Sequence, residues 1–136
     1  MVNKAMFAKT TTSPSERARK RGATAYHAGL AAEHIAQRRY EQAGYTLLQQ
    51  RWRGKAGEID LIFSKNNETV FVEVKRARDF AQAVERIGPA QMMRIASAAE
   101  EYAAVLPDGR LSLMRIDVAV VNGTGACHIV KNAFGA

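Results

Sequence analysis

Residues 57–75 read GEIDLIFSKNNETVFVEVK, and the predicted fold is built around this stretch. Two runs rich in β-branched and aromatic residues, Glu58–Ser64 and Thr69–Lys75, flank a short polar segment, Lys65–Glu68. Such runs are typical of β-strands, and the Asn-Asn pair between them tolerates the positive φ angles that a tight turn requires. The stretch therefore predicts a β-hairpin.

The register of this hairpin follows from its turn. A loop centred on the Asn-Asn pair places Asp60 opposite Glu73 and Glu58 opposite Lys75, so we expect Glu58 to pair with Lys75. Opposed side chains have Cβ atoms about 4.5–5.5 Å apart, and two carboxylates that close repel each other. A divalent cation such as Mg²⁺ would remove the repulsion, because hard cations bind carboxylate oxygens. The alternative is an exposed face of mixed charges without a ligand.

The same residues resemble a known nuclease motif. Asp60, a gap of twelve residues and then Glu73-Val74-Lys75 resemble the D…(D/E)-x-K core of the restriction-endonuclease-like nucleases. More narrowly, GEIDLI followed by FVEVK resembles the YraN family of small bacterial proteins, described as Holliday-junction-resolvase-like. The similarity extends from about residue 28 to residue 121. The resemblance implies a restriction-endonuclease-like fold and a nuclease site that uses Mg²⁺ or Mn²⁺.

The resemblance also implies a role for each site residue. Asp60 and Glu73 would bind the metal together with the backbone carbonyl of Val74. Lys75 would orient or help to deprotonate the attacking water, or stabilise charge on the phosphate. In the family resembled, a Gly-x-x-x-Glu motif on the first helix directs its carboxylate towards the metal site, and Glu33 occupies the matching position here. The alternative for Glu33 is an ordinary surface glutamate.

Basic residues flank the predicted hairpin on both sides. Three precede it next to Trp52, and two follow it. A basic surface with an aromatic side chain beside an acidic metal site suits a nucleic-acid backbone approaching the metal, whereas the alternative is a basic turn with no ligand. These candidate nucleic-acid contacts are Arg51, Arg53, Lys55, Arg76 and Arg78.

A helix after the hairpin contributes one further candidate. Pro89 suits the first helical turn, and Met92, Ile95 and Tyr102 belong to an apolar stripe with spacings of three and four residues, which predicts an amphipathic helix against the sheet. Gln91 lies near its N-terminal end, where a helix favours anions. The family resembled usually has a lysine at this position, so Gln91 keeps only an amide donor for phosphate or water.

The remaining chain predicts one α/β domain. A helix is expected from about Thr24 to a Gly44 terminus, followed by a strand, Tyr45–Trp52, with Leu48 among its core residues. The order of helix, three strands, one or two helices and further strands predicts a central mixed β-sheet flanked by helices. Asp117 belongs to an Arg-x-Asp motif that matches the family resembled, and we expect it to have a structural role.

Charge is concentrated at the N-terminus. Residues 1–22 carry six Lys or Arg against one Glu, which is five of the seven excess positive charges. This segment has no periodicity, and it predicts a disordered basic arm that either adds salt-sensitive affinity for nucleic acid or only aids solubility. Residues 23–136 are then a single nuclease-like domain.

Composition excludes several classes of protein. A chain of 136 residues with 47% apolar and 24% charged residues is sufficient for one globular domain. Its single cysteine, Cys127, excludes an internal disulfide framework and a cysteine-rich zinc site. No apolar run approaches the roughly 20 residues of a membrane helix, and no signal peptide is recognisable, so a cytoplasmic protein without membrane contact is expected.

Two functions are consistent with these features. The first is a Mg²⁺- or Mn²⁺-dependent nuclease that hydrolyses phosphodiester bonds, in DNA rather than RNA, and in structured or branched DNA in particular. The second is a non-catalytic nucleic-acid-binding module with the same fold. Symmetric cleavage of a DNA junction would suit a homodimer.

Overall fold

The computed structural model of the protein describes residues 13–107 and 113–134. Within them, the helices and strands in chain order are α1 (Pro14–Gln42), β1 (Thr46–Arg53), β2 (Glu58–Lys65), β3 (Glu68–Arg76), α2 (Phe80–Glu85), α3 (Pro89–Ala103), β4 (Leu113–Val121) and β5 (Cys127–Val130).

The strands form a single mixed sheet in the order β1-β2-β3-β4-β5. β3 and β4 are parallel, whereas the other three neighbouring pairs are antiparallel. A parallel pair needs a long crossover, and α2 and α3 provide it between β3 and β4. The predicted α/β class, with a central mixed sheet flanked by helices, is confirmed.

The predicted hairpin is present with the predicted register. Pairing of β2 with β3 extends from the residues beside the turn to Leu61 and Val72, and the numbers of every paired couple add to 133. Asn66 and Asn67 have φ angles of 52° and 64°. Asparagine tolerates this left-handed backbone better than most residues, so the turn sequence determines where the two strands meet.

Apolar side chains cover both faces of the two central strands. Helices pack on each face, and for this reason β2 and β3 contain nearly continuous apolar runs instead of a strict alternation. On one face, Ala36 and Tyr40 of α1 pack with Leu61, Phe63, Val70 and Val72; on the other, Ala98, Ala99 and Tyr102 of α3 pack with Ile59, Ile62 and Phe71.

A buried polar network joins α1 to β4. The Tyr40 ring stacks on Phe63 with a centroid distance of 4.6 Å, and its hydroxyl donates to Asp117 Oδ2 at 2.7 Å. Asp117 is fully buried and also accepts hydrogen bonds from the Arg115 guanidinium and from the backbone N–H of Asn132. Burial, followed by the charge of Asp117, raises the pKa of Tyr40. The structural role expected for Asp117 is confirmed.

The N-terminal half of α1 differs from the prediction. The helix begins at Pro14 and not near Thr24, because Ser13 caps it: the Glu16 backbone N–H donates to Ser13 Oγ at 3.2 Å. Ser-x-x-Glu followed by helix-forming residues is a capping-box sequence, with proline favoured at the first helical position. Residues 14–22 of the predicted disordered arm are therefore helical, and residues 1–12 lie outside the described residues.

The end of α1 agrees with the prediction. Gly44 has a φ of 92°, and its backbone N–H donates to the Glu41 carbonyl. The Tyr45 N–H donates to the Tyr40 carbonyl, and the two tyrosine rings meet edge to face at 5.2 Å. These bonds form a Schellman motif, in which a glycine with positive φ ends the helix.

Strand β1 is irregular, and this irregularity overturns one core prediction. The register between β1 and β2 shifts by one residue between Leu47 and Gln49, so Leu48 is the extra residue of a β-bulge. Leu47 packs against the core, whereas Leu48 is 37% exposed. The prediction that Leu48 belongs to the core was wrong, because a bulge redirects the side chain of the inserted residue.

The chain divides into two compact units, Met1–Ala31 and Ala32–Ala136. The second unit contains the whole sheet. The predicted boundary after residue 22 stays a prediction. Within the part of the chain that the structure describes, no helix is both long enough and apolar enough to cross a membrane.

Replacing Asp117 with alanine tests the buried network. The change leaves the Tyr40 hydroxyl and the Asn132 N–H without their acceptor, and it removes the carboxylate that accepts two hydrogen bonds from Arg115. We expect Asp117→Ala to lower the free energy of unfolding by about 3–5 kcal/mol, the usual cost of breaking a buried ion pair. Tyr40→Phe keeps the ring packing and should cost only about 1–2 kcal/mol. Urea denaturation measures both, and equal losses would contradict this account.

Candidate metal centre

Asp60 lies where the β2–β3 pairing ends. Beyond the last paired residues, Leu61 and Val72, the Val74 backbone N–H donates to Asp60 Oδ2 at 2.8 Å. A side-chain carboxylate thus takes the place of a backbone carbonyl as acceptor. The strand ends and the carboxylate is fixed beside β3 by the same hydrogen bond.

Asp60 and Glu73 form the predicted carboxylate pair. Their side chains are within hydrogen-bonding reach of each other, and the Glu73 side chain is only 13% exposed. Burial, followed by the negative charge of Glu73, raises the pKa of Asp60 to about 8. A carboxyl group retains its proton under such conditions because the site disfavours two adjacent negative charges. Binding of a cation at Asp60 would displace this proton.

Two side chains approach the same oxygen of Glu73, one as an ion pair and one as a hydrogen-bond donor. Lys75 Nζ lies 3.4 Å from Glu73 Oε2, and Gln91 Nε2 donates to that oxygen at 2.7 Å. Gln91 is in the first turn of α3, so the helix places an amide against the carboxylate. The prediction that Lys75 pairs with Glu58 was wrong: Glu58 accepts a hydrogen bond from Arg53 at 3.2 Å. The strands are no longer paired at that point, so Glu58 does not stay level with Lys75.

Glu33 is close enough to act on the pair. Its negative charge contributes to raising the pKa of Asp60, although less than burial and Glu73 do. Its Oε1 accepts a hydrogen bond from Arg51 Nε at 2.9 Å. The structure therefore brings Glu33 to the predicted site, and it also supplies a cation that the sequence analysis assigned to nucleic acid instead.

Arg51 has an unusual backbone conformation. Its φ is 48°, in the left-handed region that residues with a Cβ rarely adopt. The residues on either side of Arg51 pair with those on either side of Asp60, so the two stand opposite each other across β1 and β2. Backbone strain of this kind persists where surrounding structure requires it, and it is concentrated at functional sites.

The carboxylate oxygens of Asp60 and Glu73 suit a hard cation that takes only one or two ligands from the protein. Among the described residues, no group of three or more His, Cys, Asp or Glu side chains is arranged to hold a metal ion. Mg²⁺ usually retains several waters and uses one or two carboxylates plus substrate phosphates, so the Asp60–Glu73 pair fits this mode of binding. Val74 is held at the site through its N–H, and ligation by its carbonyl stays a prediction.

The residues predicted to contact nucleic acid lie at two positions on the structure. Arg53 and Lys55 are exposed at the end of β1 and in the β1–β2 loop, and Trp52 packs against Tyr102 instead of offering a free ring. Arg76 and Arg78 are exposed at the end of β3 and just after it. Arg76 also lines a cavity of about 220 Å³ together with Lys75, Arg86 and Gln91.

The β1–β2 loop is held by a residue that sequence reasoning missed. The Glu101 carboxylate on α3 accepts hydrogen bonds from the backbone N–H groups of Lys55 and Ala56. A Cβ at Gly54 would lie 2.5 Å from the Glu101 carboxylate, so any larger residue there would force Glu101 to move. No local signal identifies this contact, because it joins residues about 46 positions apart.

Comparison with known proteins gives the family. A family model described as "Uncharacterised protein family UPF0102" matches residues 32–121. A UPF0102 protein of Ruegeria pomeroyi is 55% identical over 115 residues, which cover 85% of this chain and 94% of that protein. Another, of Roseobacter denitrificans, is 50% identical over 112 residues, covering 82% and 87%. A third, of Cereibacter sphaeroides, is 44% identical over 115 residues, covering 85% and 98%.

The raised pKa of Asp60 predicts a pH-dependent stability. The unfolded chain loses this proton near pH 3.8, whereas the folded chain retains it to about pH 8. Between these values the folded state binds more protons, so stability decreases as pH rises. Asp60→Asn keeps an acceptor for the Val74 N–H without the charge. We expect it to be more stable than the wild type at pH 8 by on the order of 1 kcal/mol, with little difference near pH 4.

Urea denaturation at both pH values measures this difference. Glu58→Gln is the matched control, since Glu58 lies on the same strand and pairs with Arg53. It should not reproduce the effect. A constant difference between Asp60→Asn and wild type from pH 4 to pH 8 would contradict a proton held by the carboxylate pair.

The strain at Arg51 can be isolated by comparing two substitutions. Arg51→Ala and Arg51→Gly both remove the side-chain bonds, but only glycine removes the Cβ that disfavours a φ of 48°. We expect the glycine variant to be the more stable by about 1 kcal/mol. The same two substitutions at Arg53, whose φ is not positive, should give the opposite order, because glycine in an ordinary strand costs about 0.5–1 kcal/mol. Thermal unfolding measures the order of the variants. If the alanine variant is the more stable one at both positions, strain at Arg51 is excluded.

Proposed function

Because this chain belongs to the uncharacterised protein family UPF0102, we propose its function from the chemistry of its site: divalent-cation-dependent hydrolysis of phosphodiester bonds in nucleic acid. One observation carries the proposal. Asp60 and Glu73 are held side by side at the end of a strand pair, with the Lys75 ammonium 3.4 Å from Glu73. In the restriction-endonuclease-like nucleases that the motif resembles, these three positions form the D…(D/E)-x-K set.

The pair of acidic side chains, Asp60 and Glu73, supports a site for a divalent cation. Burial, followed by the negative charge of Glu73, raises the pKa of Asp60, so the site disfavours a second negative charge. A cation of charge +2 would remove that repulsion, and Mg²⁺ or Mn²⁺ accept such oxygen ligands. When bound, the cation would polarise a phosphoryl oxygen and lower the pKa of a water.

The residues around the pair have separate roles in this proposal. Lys75 is 31% exposed, so its ammonium can reach a phosphate or the attacking water while it remains next to Glu73. In hydrolysis, water oxygen bonds to phosphorus, one P–O ester bond breaks, and the leaving oxygen acquires a proton. Glu33 would position that water or accept its proton, with Arg51 holding the Glu33 carboxylate in place.

The basic residues would hold the nucleic acid. Arg53 and Lys55 are exposed at one position, and Arg76 and Arg78 at another. Phosphate contacts of this kind supply affinity without sequence recognition and weaken with salt. The resemblance favours DNA, structured or branched, and a homodimer would suit symmetric cleavage; each of these is part of the proposal.

A non-catalytic nucleic-acid-binding module is the second candidate, and Gln91 favours it. Its amide donates to Glu73 at 2.7 Å, at a position where the family resembled usually has a lysine. A neutral amide there supplies no positive charge to a transition state. Under this candidate the basic surface binds nucleic acid and Asp60 keeps its proton.

Calorimetric titration with Mg²⁺ and Mn²⁺ distinguishes the two candidates. We expect the wild type to bind and Asp60→Asn and Glu73→Gln to lose affinity by at least about 10–100-fold, the range found even for residues that only support metal ligands. Glu58→Gln should bind like the wild type, since its carboxylate pairs with Arg53. The titration is repeated with DNA present, because substrate phosphates can complete a Mg²⁺ site.

A cleavage assay then follows with linear, flapped and four-way DNA and with RNA. The catalytic proposal predicts cation-dependent cleavage that is lost in Asp60→Asn and Glu73→Gln. Cleavage retained in either variant would exclude the assigned site. Salt-sensitive binding without cleavage, and without cation binding in the presence of DNA, would establish the binding module instead.

A further inference from the structure

A second cavity lies against the C-terminal part of α1. It has a volume of about 420 Å³ and is lined by Ile35, Arg38, Arg39 and Gln42 from the helix and by the turn and first residue that lead into β5, including Cys127. This volume is within the range of about 300–1,000 Å³ that small-molecule sites occupy. None of its lining residues surrounds the Asp60–Glu73 pair.

The charge of the cavity has one sign. Two arginines and one glutamine provide N–H donors, and none of the lining residues within the described ranges is acidic. Arg39 Nη1 donates to the backbone carbonyl of Cys127 at 3.0 Å, which holds that guanidinium at the wall. An arginine has five N–H donors in a planar fork, so Arg39 retains donors for a ligand beyond this bond.

The opposite wall is a well-defined turn. The Asn122 side-chain carbonyl accepts hydrogen bonds from the Thr124 N–H, the Thr124 hydroxyl and the Ala126 N–H. Gly125 has a φ of 83°, a conformation that glycine adopts without strain. The turn therefore keeps its shape without a ligand, and the cavity is preformed on that side.

We propose that this cavity binds a phosphate group, with Arg38 and Arg39 as the charged donors and Gln42 as a neutral one. Guanidinium groups match phosphate geometrically, because two parallel N–H groups can reach two oxygens. The volume accommodates a phosphate with an attached nucleoside-sized group. The phosphate can belong to a free mononucleotide or to the backbone of a nucleic acid. This proposal is independent of catalysis at Asp60.

Cys127 offers a direct readout of occupancy. It is the only cysteine of the chain, it lines the cavity, and its side chain is half-buried. Burial raises the pKa of the thiol, and the nearby Arg39 charge opposes that rise. An anion bound at the arginines would cover the thiol and cancel the favourable charge, so alkylation of Cys127 would become slower.

The experiment measures alkylation of the full-length protein by iodoacetamide, a neutral reagent. Inorganic phosphate, adenosine monophosphate and a short DNA duplex are titrated separately, with chloride at matched ionic strength as the reference. We expect saturable protection relative to chloride. Arg38→Gln should raise the concentration for half-protection by about tenfold or more, as expected for loss of a hydrogen bond to a charged group.

Arg94→Gln is the matched control, because Arg94 is exposed and does not line the cavity. It removes the same charge and should leave protection by phosphate and by the mononucleotide unchanged. Arg39 is not substituted, because it donates to the Cys127 backbone carbonyl. Loss of that contact would itself change the surroundings of the thiol.

The three probes separate the two sources of phosphate. Protection by phosphate and the mononucleotide supports a small-molecule site, whereas protection by the duplex alone supports a contact to a nucleic-acid backbone. In both cases protection must weaken in Arg38→Gln more than in Arg94→Gln. The proposal is overturned if no probe protects beyond chloride, or if the two variants behave alike.

Discussion

The hydrogen bond from the Val74 N–H to the Asp60 carboxylate is the constraint on which the candidate site depends. It forms where β2 and β3 cease to pair, and it holds the Asp60 carboxyl group beside β3. Glu73, one residue before Val74 on β3, is then unavoidably close to Asp60. The surrounding fold is rigid enough to keep the two acidic side chains together, and burial, followed by the negative charge of Glu73, raises the pKa of Asp60.

The rigidity has an identifiable source. Both faces of β2 and β3 are covered by apolar side chains, so neither strand can move away without exposing core residues to water. The Asp117 network adds a buried polar link between α1 and β4, and among the described residues every buried side-chain polar atom has a partner. A well-packed and fully hydrogen-bonded interior is what allows a strained residue such as Arg51 to persist beside the site.

Local sequence accounts for the elements that obey local rules. The hairpin and its register follow from two apolar runs and an Asn-Asn turn, and the end of α1 follows from a single glycine. The start of α1 also had a local signal, the Ser13–Glu16 capping box, which the prediction overlooked because the charge run suggested disorder. The misplaced Leu48 had no such signal, since a bulge depends on how β1 pairs with β2.

The α/β architecture and the hairpin register that brings Asp60 near Glu73 follow from the sequence alone, because strand periodicity and turn chemistry act between close neighbours along the chain. The donors that surround these carboxylates depend instead on tertiary packing. Gln91 reaches Glu73 and Arg51 reaches Glu33 across 18 residues, and Arg39 reaches the Cys127 carbonyl across 88. Such contacts depend on which elements become neighbours when the core is buried, and side-chain spacing along one strand or helix carries no information about them.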